Sequence, residues 1–429
     1  MTHIRPDSNI LNISNRAIPA LTPPAAAPPA EQSRLRLSYL DGLRGIAALY
    51  VVLFHGWTEM AWGAEGGRLP LLHSAFLKWL TYGHHSVVVF IVLSGYCLMI
   101  PVARAPQGKS PGGALGYLKR RARRILPPYY AALALSIPLM LASAALGRRG
   151  SSSWSAALSS IWPGPLVSHL LLIHNLRPDW VYAINNPLWS VATEWQIYFL
   201  FPMLLLPMWR RFGNAGVIFA GLVAGLGLYL AFPGSLAGAC PWYVALFAMG
   251  MAGAAANFRP QGTGHLPNSA LPMPARAGIS LAAGAAIMAV YALAPRLLGP
   301  AVSTPSFLIL MDLSVGAFVT CVLVASTQAL LDPVRRLPVA LRLLQSRPVT
   351  ALGAFSYSLY LIHWPILHLL HQGLQAAAAP PLSSFLALLC LGAPLSVAAA
   401  YLFHVVFEKP FLPGEGRSRL RFSNGRSRG

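Results

Sequence analysis

Runs of about 18 or more largely apolar residues recur along almost the whole chain, and nothing else in the sequence limits its fold so strongly. Each run is long enough to cross a hydrocarbon core about 30 Å thick as a helix. Lipid offers backbone amides no partner, so a crossing segment must close its hydrogen bonds within itself. Composition agrees: 55% of the residues are apolar and 10% charged, whereas a soluble domain carries about 25% charged residues. The expected fold class is all-α, a polytopic, multi-pass protein of the cell (inner) membrane.

Spans are expected at roughly 42–60, 86–103, 127–147, 187–209, 214–233, 240–257, 277–298, 306–331, 349–371 and 382–407. A further apolar piece, 161–176, is short and holds Pro163, Pro165, His169 and His174. The net charge of +21 would suit a nucleic-acid binder, but the basic residues lie between apolar runs and at the tails, where they encode topology. With about ten crossings and both termini cytoplasmic, only Arg68, Lys78, Arg148, Arg149, Arg177 and Arg296 of the 32 basic residues fall outside. Counting 161–176 as a full span would turn most C-terminal basic loops outward, so it is read as a partial or outer segment. No nucleic-acid partner is expected.

Residues 1–38, with LTPPAAAPPA at 21–30, form an expected disordered cytoplasmic tail. They show no apolar region with a cleavage site and so no signal peptide. Residues 39–410 form the membrane domain and 411–429 a basic cytoplasmic tail. No soluble catalytic domain is appended, so chemistry falls to the helices and their short loops. Cys97, Cys240, Cys321 and Cys390 lie in apolar stretches with no CxxC pair. They read as small buried residues, neither disulfides nor metal ligands.

Ionisable groups inside spans are costly and mark function. The sharpest set is in the first span, YLDGLRGIAALYVVLFH at 39–55. Arg44 and His55 are eleven residues apart, which returns them to nearly one helical face about 16 Å apart along the axis. An anion-binding group near the cytoplasmic surface and a titratable base deeper in the bilayer share one stripe, as a ligand spanning that distance would need. In YLKRRARRILPPYY, residues 117–130, Arg121 and Arg124 are i and i+3 on an interfacial helix, and guanidinium forks suit phosphate oxygens. Positive-inside charge and lipid headgroup binding are the plainer account of the same residues. In NNPLWSVATEWQIYFLFPML, 185–204, Glu194 is the only carboxylate and needs a cationic or hydrogen-bonding partner, His55 or a basic side chain. Asn186, Trp189 and Ser190 near the same end either line an acceptor site or form an aromatic belt and cap. Asp312 is expected to pair with Arg296 or a histidine. His84 and His85 open the second span as interfacial polar residues, and His363 and His404 read as polar glue between helices. No HExxH, Cys/His cluster, Walker or GxGxxG pattern occurs, so neither a metal nor a nucleotide-hydrolysing site is expected.

These residues make the sequence similar to the membrane acyltransferase-3 family, the O-acyltransferases of surface polysaccharides, Nod factors and macrolides. Arg44 and His55 match its Arg-x10-His pattern, and FIVLSGY at 90–96, with Ser94, matches its FxxSGF-like span. Arg121 and Arg124 match its RxxR, PLWSVATE at 187–194 its PxWSLxxE, and YSLYLIHWP at 357–365 its YSLYLxHxP. Five motifs in order are specific where a lone RxxR is not. Trp195 stands where many members carry a second acidic residue. The chain resembles the stand-alone branch, without a C-terminal esterase-like domain.

The resemblance implies an acyl-CoA donor, acetyl-CoA by default, entering from the cytoplasm, with no bound cofactor. It implies that Arg44, Arg121 and Arg124 hold the CoA phosphates and that His55 is general base or acyl carrier. Glu194 is implied to orient His55 or to stabilise its cation. Ser94, Asn186, Trp189, Ser190 and His363 are implied to line the channel to a hydroxyl-bearing acceptor, carbohydrate or related. Membrane lipid is the other expected partner. The competing readings are a transporter or flippase of a lipid-linked sugar, for which no internal repeat is found, and a structural lipid-binding component.

Overall fold

A computed structural model describes residues 37–61, 77–105, 112–146, 163–232, 234–258, 305–332 and 336–412, with a few isolated positions besides. The expected tail 1–38 lies almost wholly outside the described residues, as do 413–429 of the basic tail and most of the expected span 277–298. The described chain is helical, with no strand among the described residues. Its helices are α1 Ser38–Ala61, α2 His85–Arg104, α3 Gly113–Leu146, α4 Gly164–Leu170, α5 Leu188–Leu200, α6 Leu206–Ala231 and α7 Tyr243–Phe258. They continue as α8 Pro305–Leu331, α9 Val339–Leu344, α10 Arg347–Ala354, α11 Ser356–Ala376, α12 Pro381–Ala387 and α13 Ala393–Phe403.

Among the described residues, six helical stretches are long and apolar enough to cross a membrane: His85–Arg104, Gly113–Ser143, Leu188–Ala231, Ala237–Phe258, Pro305–Leu331 and Pro381–Phe411. Two further helices have the length but carry more polar groups. The 24-residue α1 holds Asp41, Arg44, His55 and Glu59, and the 21-residue α11 holds His363, His368, His371 and Gln372. These α11 side chains are buried in the bundle, where other helices rather than lipid must satisfy them.

Leu188–Ala231 is continuous over 44 residues, yet two spans are expected there. The break is at Gly213, whose φ of 68° and ψ of −157° no L-residue adopts cheaply. The piece 161–176 holds a seven-residue helix, α4, about 10 Å long at 1.5 Å per residue and too short to cross. The basic stretch before Pro127 is helical throughout as the first part of α3, so Arg121 and Arg124 share a face, as their spacing predicts.

Small residues bring the helices together. Gly95 on α2 lies against the Phe247 carbonyl of α7, and Gly250 on α7 lies against the Val92 carbonyl of α2. A Cβ at either position would collide with backbone. Such close approach is how helices pack where lipid removes the hydrophobic incentive. Asn185, fully buried, ties three segments by donating from Nδ2 to Ser136 Oγ on α3 at 3.0 Å and to the Leu361 carbonyl on α11 at 2.9 Å.

Candidate active site

A cavity of about 300 Å³ opens between α1, α2, α3, α5 and α11. It collects residues far apart in sequence because each helix turns one stripe toward it. On α5, Ser190, Glu194 and Tyr198 recur every four residues and share one face. On α2, Phe90, Ser94 and Cys97, spaced four and three apart, also share one face. Arg44 comes from α1, Arg121 and Arg124 from α3, and Tyr357 and Tyr360 from α11. The six residues Arg44, Arg121, Arg124, Ser94, Ser190 and Glu194, all singled out from the sequence, line one space.

The polar contacts fix its walls. Arg44 donates from Nη2 to Cys97 Sγ at 3.0 Å and from Nη1 to Asp41 Oδ1 at 3.3 Å. Glu194 accepts from Ser94 Oγ in a short hydrogen bond, and from the Tyr198 hydroxyl at 2.5 Å. Three guanidinium groups face one carboxylate in the cavity wall. The surplus positive charge suits a polyanion. Ser190 Oγ and the Tyr360 hydroxyl are hydrogen-bonded at 2.5 Å near Phe90 and Val87.

His55 is not among the cavity-lining residues. Its ring lies 5.1 Å from that of His363, and the His363 ring lies 6.0 Å from Tyr360, which does line the cavity. His363 is fully buried. Its Nδ1–H donates to the Leu359 carbonyl at 3.0 Å, which leaves Nε2 as the lone-pair nitrogen. That Nε2 has no hydrogen-bond partner among the described residues. His363, expected as channel lining and as polar glue between helices, does not line the cavity; its ring lies beside that of His55.

The expected pairing of Glu194 with His55 is corrected. Glu194 is held by Ser94 and Tyr198, and the carboxylate within electrostatic reach of His55 is Glu59, one helical turn on along α1. Glu59 in turn accepts from His368 Nδ1 at 3.0 Å and His371 Nδ1 at 3.2 Å, both on α11. Sequence reasoning missed this cluster, although its signal was present. Glu59 follows His55 by four residues, and HWPILHLLH carries three histidines on one apolar helix.

Other expectations fare differently. Asn186 and Trp189 do not line the cavity. Trp189 is one residue, about 100° of helix, away from Ser190, and its ring meets Tyr243 at 6.1 Å. The buried polar contacts are made by the adjacent Asn185. Asp312 finds the expected histidine partners in His84 and His85, at 3.0 and 3.3 Å, while Arg296 lies outside the described residues. His404 joins helices as expected, through Glu408 at 2.9 Å and from there to Ser358 at 2.5 Å. The cysteines are free, but none is fully buried as expected: Cys390 is exposed and Cys97 sits in the cavity wall against Arg44.

An all-helical body, among the described residues, with membrane-length apolar helices and an arginine-lined cavity defines a polytopic membrane protein. Residues 37–405 match the family model described as "Acyltransferase domain", and the chain belongs to that acyltransferase family. It is similar to "Acyltransferase MdmB" of Streptomyces mycarofaciens, 28% identical over 171 residues, 39% of this chain and 39% of that protein. It is also similar to "Putative membrane-bound transacylase BcsY" of Komagataeibacter xylinus, 26% identical over 341 residues, 76% of this chain and 72% of that protein. The match to MdmB thus spans well under half of either chain. No solved structure matches.

Proposed function

We propose that the protein is an acyl-CoA-dependent O-acyltransferase of the cell (inner) membrane, with about ten crossings and both termini cytoplasmic. It moves an acyl group, acetyl by default, to a hydroxyl of a carbohydrate or related acceptor. The observation that carries this reading is the cavity with Arg44, Arg121 and Arg124 in one wall, joined through Tyr360 to the His363–His55 pair. CoA is a polyanion with a long flexible arm. The guanidinium groups hold its phosphates as charge-assisted pairs, and the arm carries the thioester past Tyr360 toward His55.

In the direct route, His55 takes the proton of the acceptor hydroxyl as its oxygen attacks the thioester carbonyl carbon. The C–S bond breaks, and the CoA thiolate recovers the proton from the imidazolium. In the alternative route, a His55 nitrogen attacks the carbonyl carbon, the C–S bond breaks and CoA leaves as the thiolate; the acceptor oxygen then attacks the acyl carbon, the C–N bond to His55 breaks, and the acceptor proton passes to the thiolate. His363 positions His55 in either case, and Glu59 stabilises the imidazolium.

The test is a purified protein given radiolabelled acetyl-CoA, beside His55→Ala. Wild type releases CoA and labels acceptor while the variant does not. Wild-type rates in the variant would remove His55 from the mechanism. Flux of a lipid-linked sugar without CoA release would favour a transporter instead.

A further inference from the structure

We propose that His84, His85 and Asp312 form a binding site for a divalent transition-metal ion, zinc foremost, at the start of α2. The donors come from two places in the chain: the adjacent histidines at the entrance to α2, and an aspartate inside the apolar α8. None of the three lines the arginine cavity.

The geometry is that of a ligand set. His84 Nε2 lies 3.0 Å and His85 Nδ1 3.3 Å from the same oxygen, Asp312 Oδ1. All three donor atoms lie within 4.8 Å of one another. Zinc bonds of about 2.0–2.2 Å at tetrahedral angles put neighbouring donors about 3.3 Å apart, which matches the two measured edges. The two imidazole rings lie 4.1 Å apart, inclined at 45°, so their nitrogens converge on the carboxylate from different directions.

The surroundings support the same assignment. Asp312 is 2% exposed, and a buried carboxylate on an apolar helix needs compensation. Its second oxygen, Oδ2, accepts the Trp242 indole N–H at 3.0 Å. That bond fixes the carboxylate plane and leaves Oδ1 for the histidines, the outer support that metal carboxylates characteristically have. The His84 side chain is 37% exposed, which gives an ion access. Two imidazole nitrogens and one carboxylate oxygen suit zinc and its neighbours and do not suit calcium or magnesium, which take all-oxygen sets. Three protein donors leave a fourth position for water or a ligand. The ion would pin the entrance of α2 to α8.

The experiment uses the full-length protein in lipid nanodiscs, stripped with a chelator and titrated calorimetrically with zinc chloride alone. One equivalent binds to wild type and raises the thermal midpoint. His84→Ala and Asp312→Asn each weaken that equivalent at least tenfold and abolish the thermal shift, whereas Glu59→Gln leaves both unchanged. His84 is half-exposed, so its variant carries the test if Asp312→Asn does not fold. No zinc uptake by wild type overturns the proposal, and so does an unaltered equivalent in a His84→Ala/His85→Ala double variant. Loss of the equivalent in Glu59→Gln alone would place the ion at the other histidine cluster and overturn it as well. Acetyl-transfer activity is not the readout, so failure here is distinguishable from failure of the acyltransferase reading.

Discussion

His55 on α1 and His363 on α11 hold their imidazole rings 5.1 Å apart with a 45° inclination. The second ring is locked by its Nδ1–H bond to the Leu359 carbonyl, so a lone-pair nitrogen and a general-base candidate occupy one buried site. The two residues are 308 positions apart, and only helix packing brings them together.

If the pair works as a unit, its members are not additive. His363→Ala should lower the rate of CoA release by about 10²- to 10⁴-fold, the usual contribution of positioned acid–base groups. The His55→Ala/His363→Ala double variant should lose little more than either single one. Single-turnover kinetics on the four proteins decide this; losses that multiply would mean the rings act separately.

Each arginine of the cavity should contribute to donor binding. A hydrogen bond to a charged group contributes about 1.5–3 kcal/mol, so Arg121→Ala or Arg124→Ala should weaken CoA binding about tenfold to a hundredfold. Binding to wild type should also fall with added salt. Calorimetry with CoA, and with its adenosine bisphosphate portion alone, measures this. An unchanged affinity in Arg44→Ala, Arg121→Ala and Arg124→Ala alike would remove the cavity from donor binding.

The Gly95–Gly250 contact predicts a packing defect at a distance from the site. Gly95→Leu forces a side chain into the Phe247 backbone, and overpacking of this kind costs about 1–3 kcal/mol or more. A lowered thermal midpoint in detergent is expected, along with lost activity, because Ser94 and Cys97 sit on the displaced helix. Gly227→Ala is the control, since that helical glycine has nothing within 4 Å of a Cβ.

Two histidines outside the spans give a pH signature. His169 and His174 are fully buried and their rings stack 3.7 Å apart. Burial pushes His169 down to about 4. Burial, with the charge of His169 adding to it, pushes His174 down to about 2. Unfolded histidines titrate near 6.5, at about that pH and below the unfolded chain binds the extra protons, and stability falls with pH. Their contribution is whole above about pH 6.5 and drains away through pH 4 and below. Thermal midpoints measured from pH 7.5 to 5 should drop, and the drop should be shallower in a His169→Phe/His174→Phe variant.

Removing the donors to Glu194 should destabilise without an equal loss of charge. Tyr198→Phe leaves a half-buried carboxylate with one fewer partner, at a cost of about 1–3 kcal/mol. Glu194→Gln, which keeps shape and removes the charge, should be better tolerated by the fold than Tyr198→Phe is. Thermal midpoints of the two variants test the order.

The sequence by itself determined which segments are helices, that they belong in lipid, and which residues stand out on them. Apolar run length and backbone hydrogen bonding settle the first two. Helical periodicity settles the third, and so Arg121 and Arg124 were legible as sharing a face. Periodicity says which way a side chain points along its own helix; it does not say which helix lies opposite. Tertiary packing alone decided that Glu194 meets Ser94 rather than His55, that Glu59 gathers His368 and His371, and that His84 and His85 converge on Asp312. Each of those contacts joins different helices or a helix and a loop, at spacings fixed by glycine approaches and kinks that depend on every helix at once.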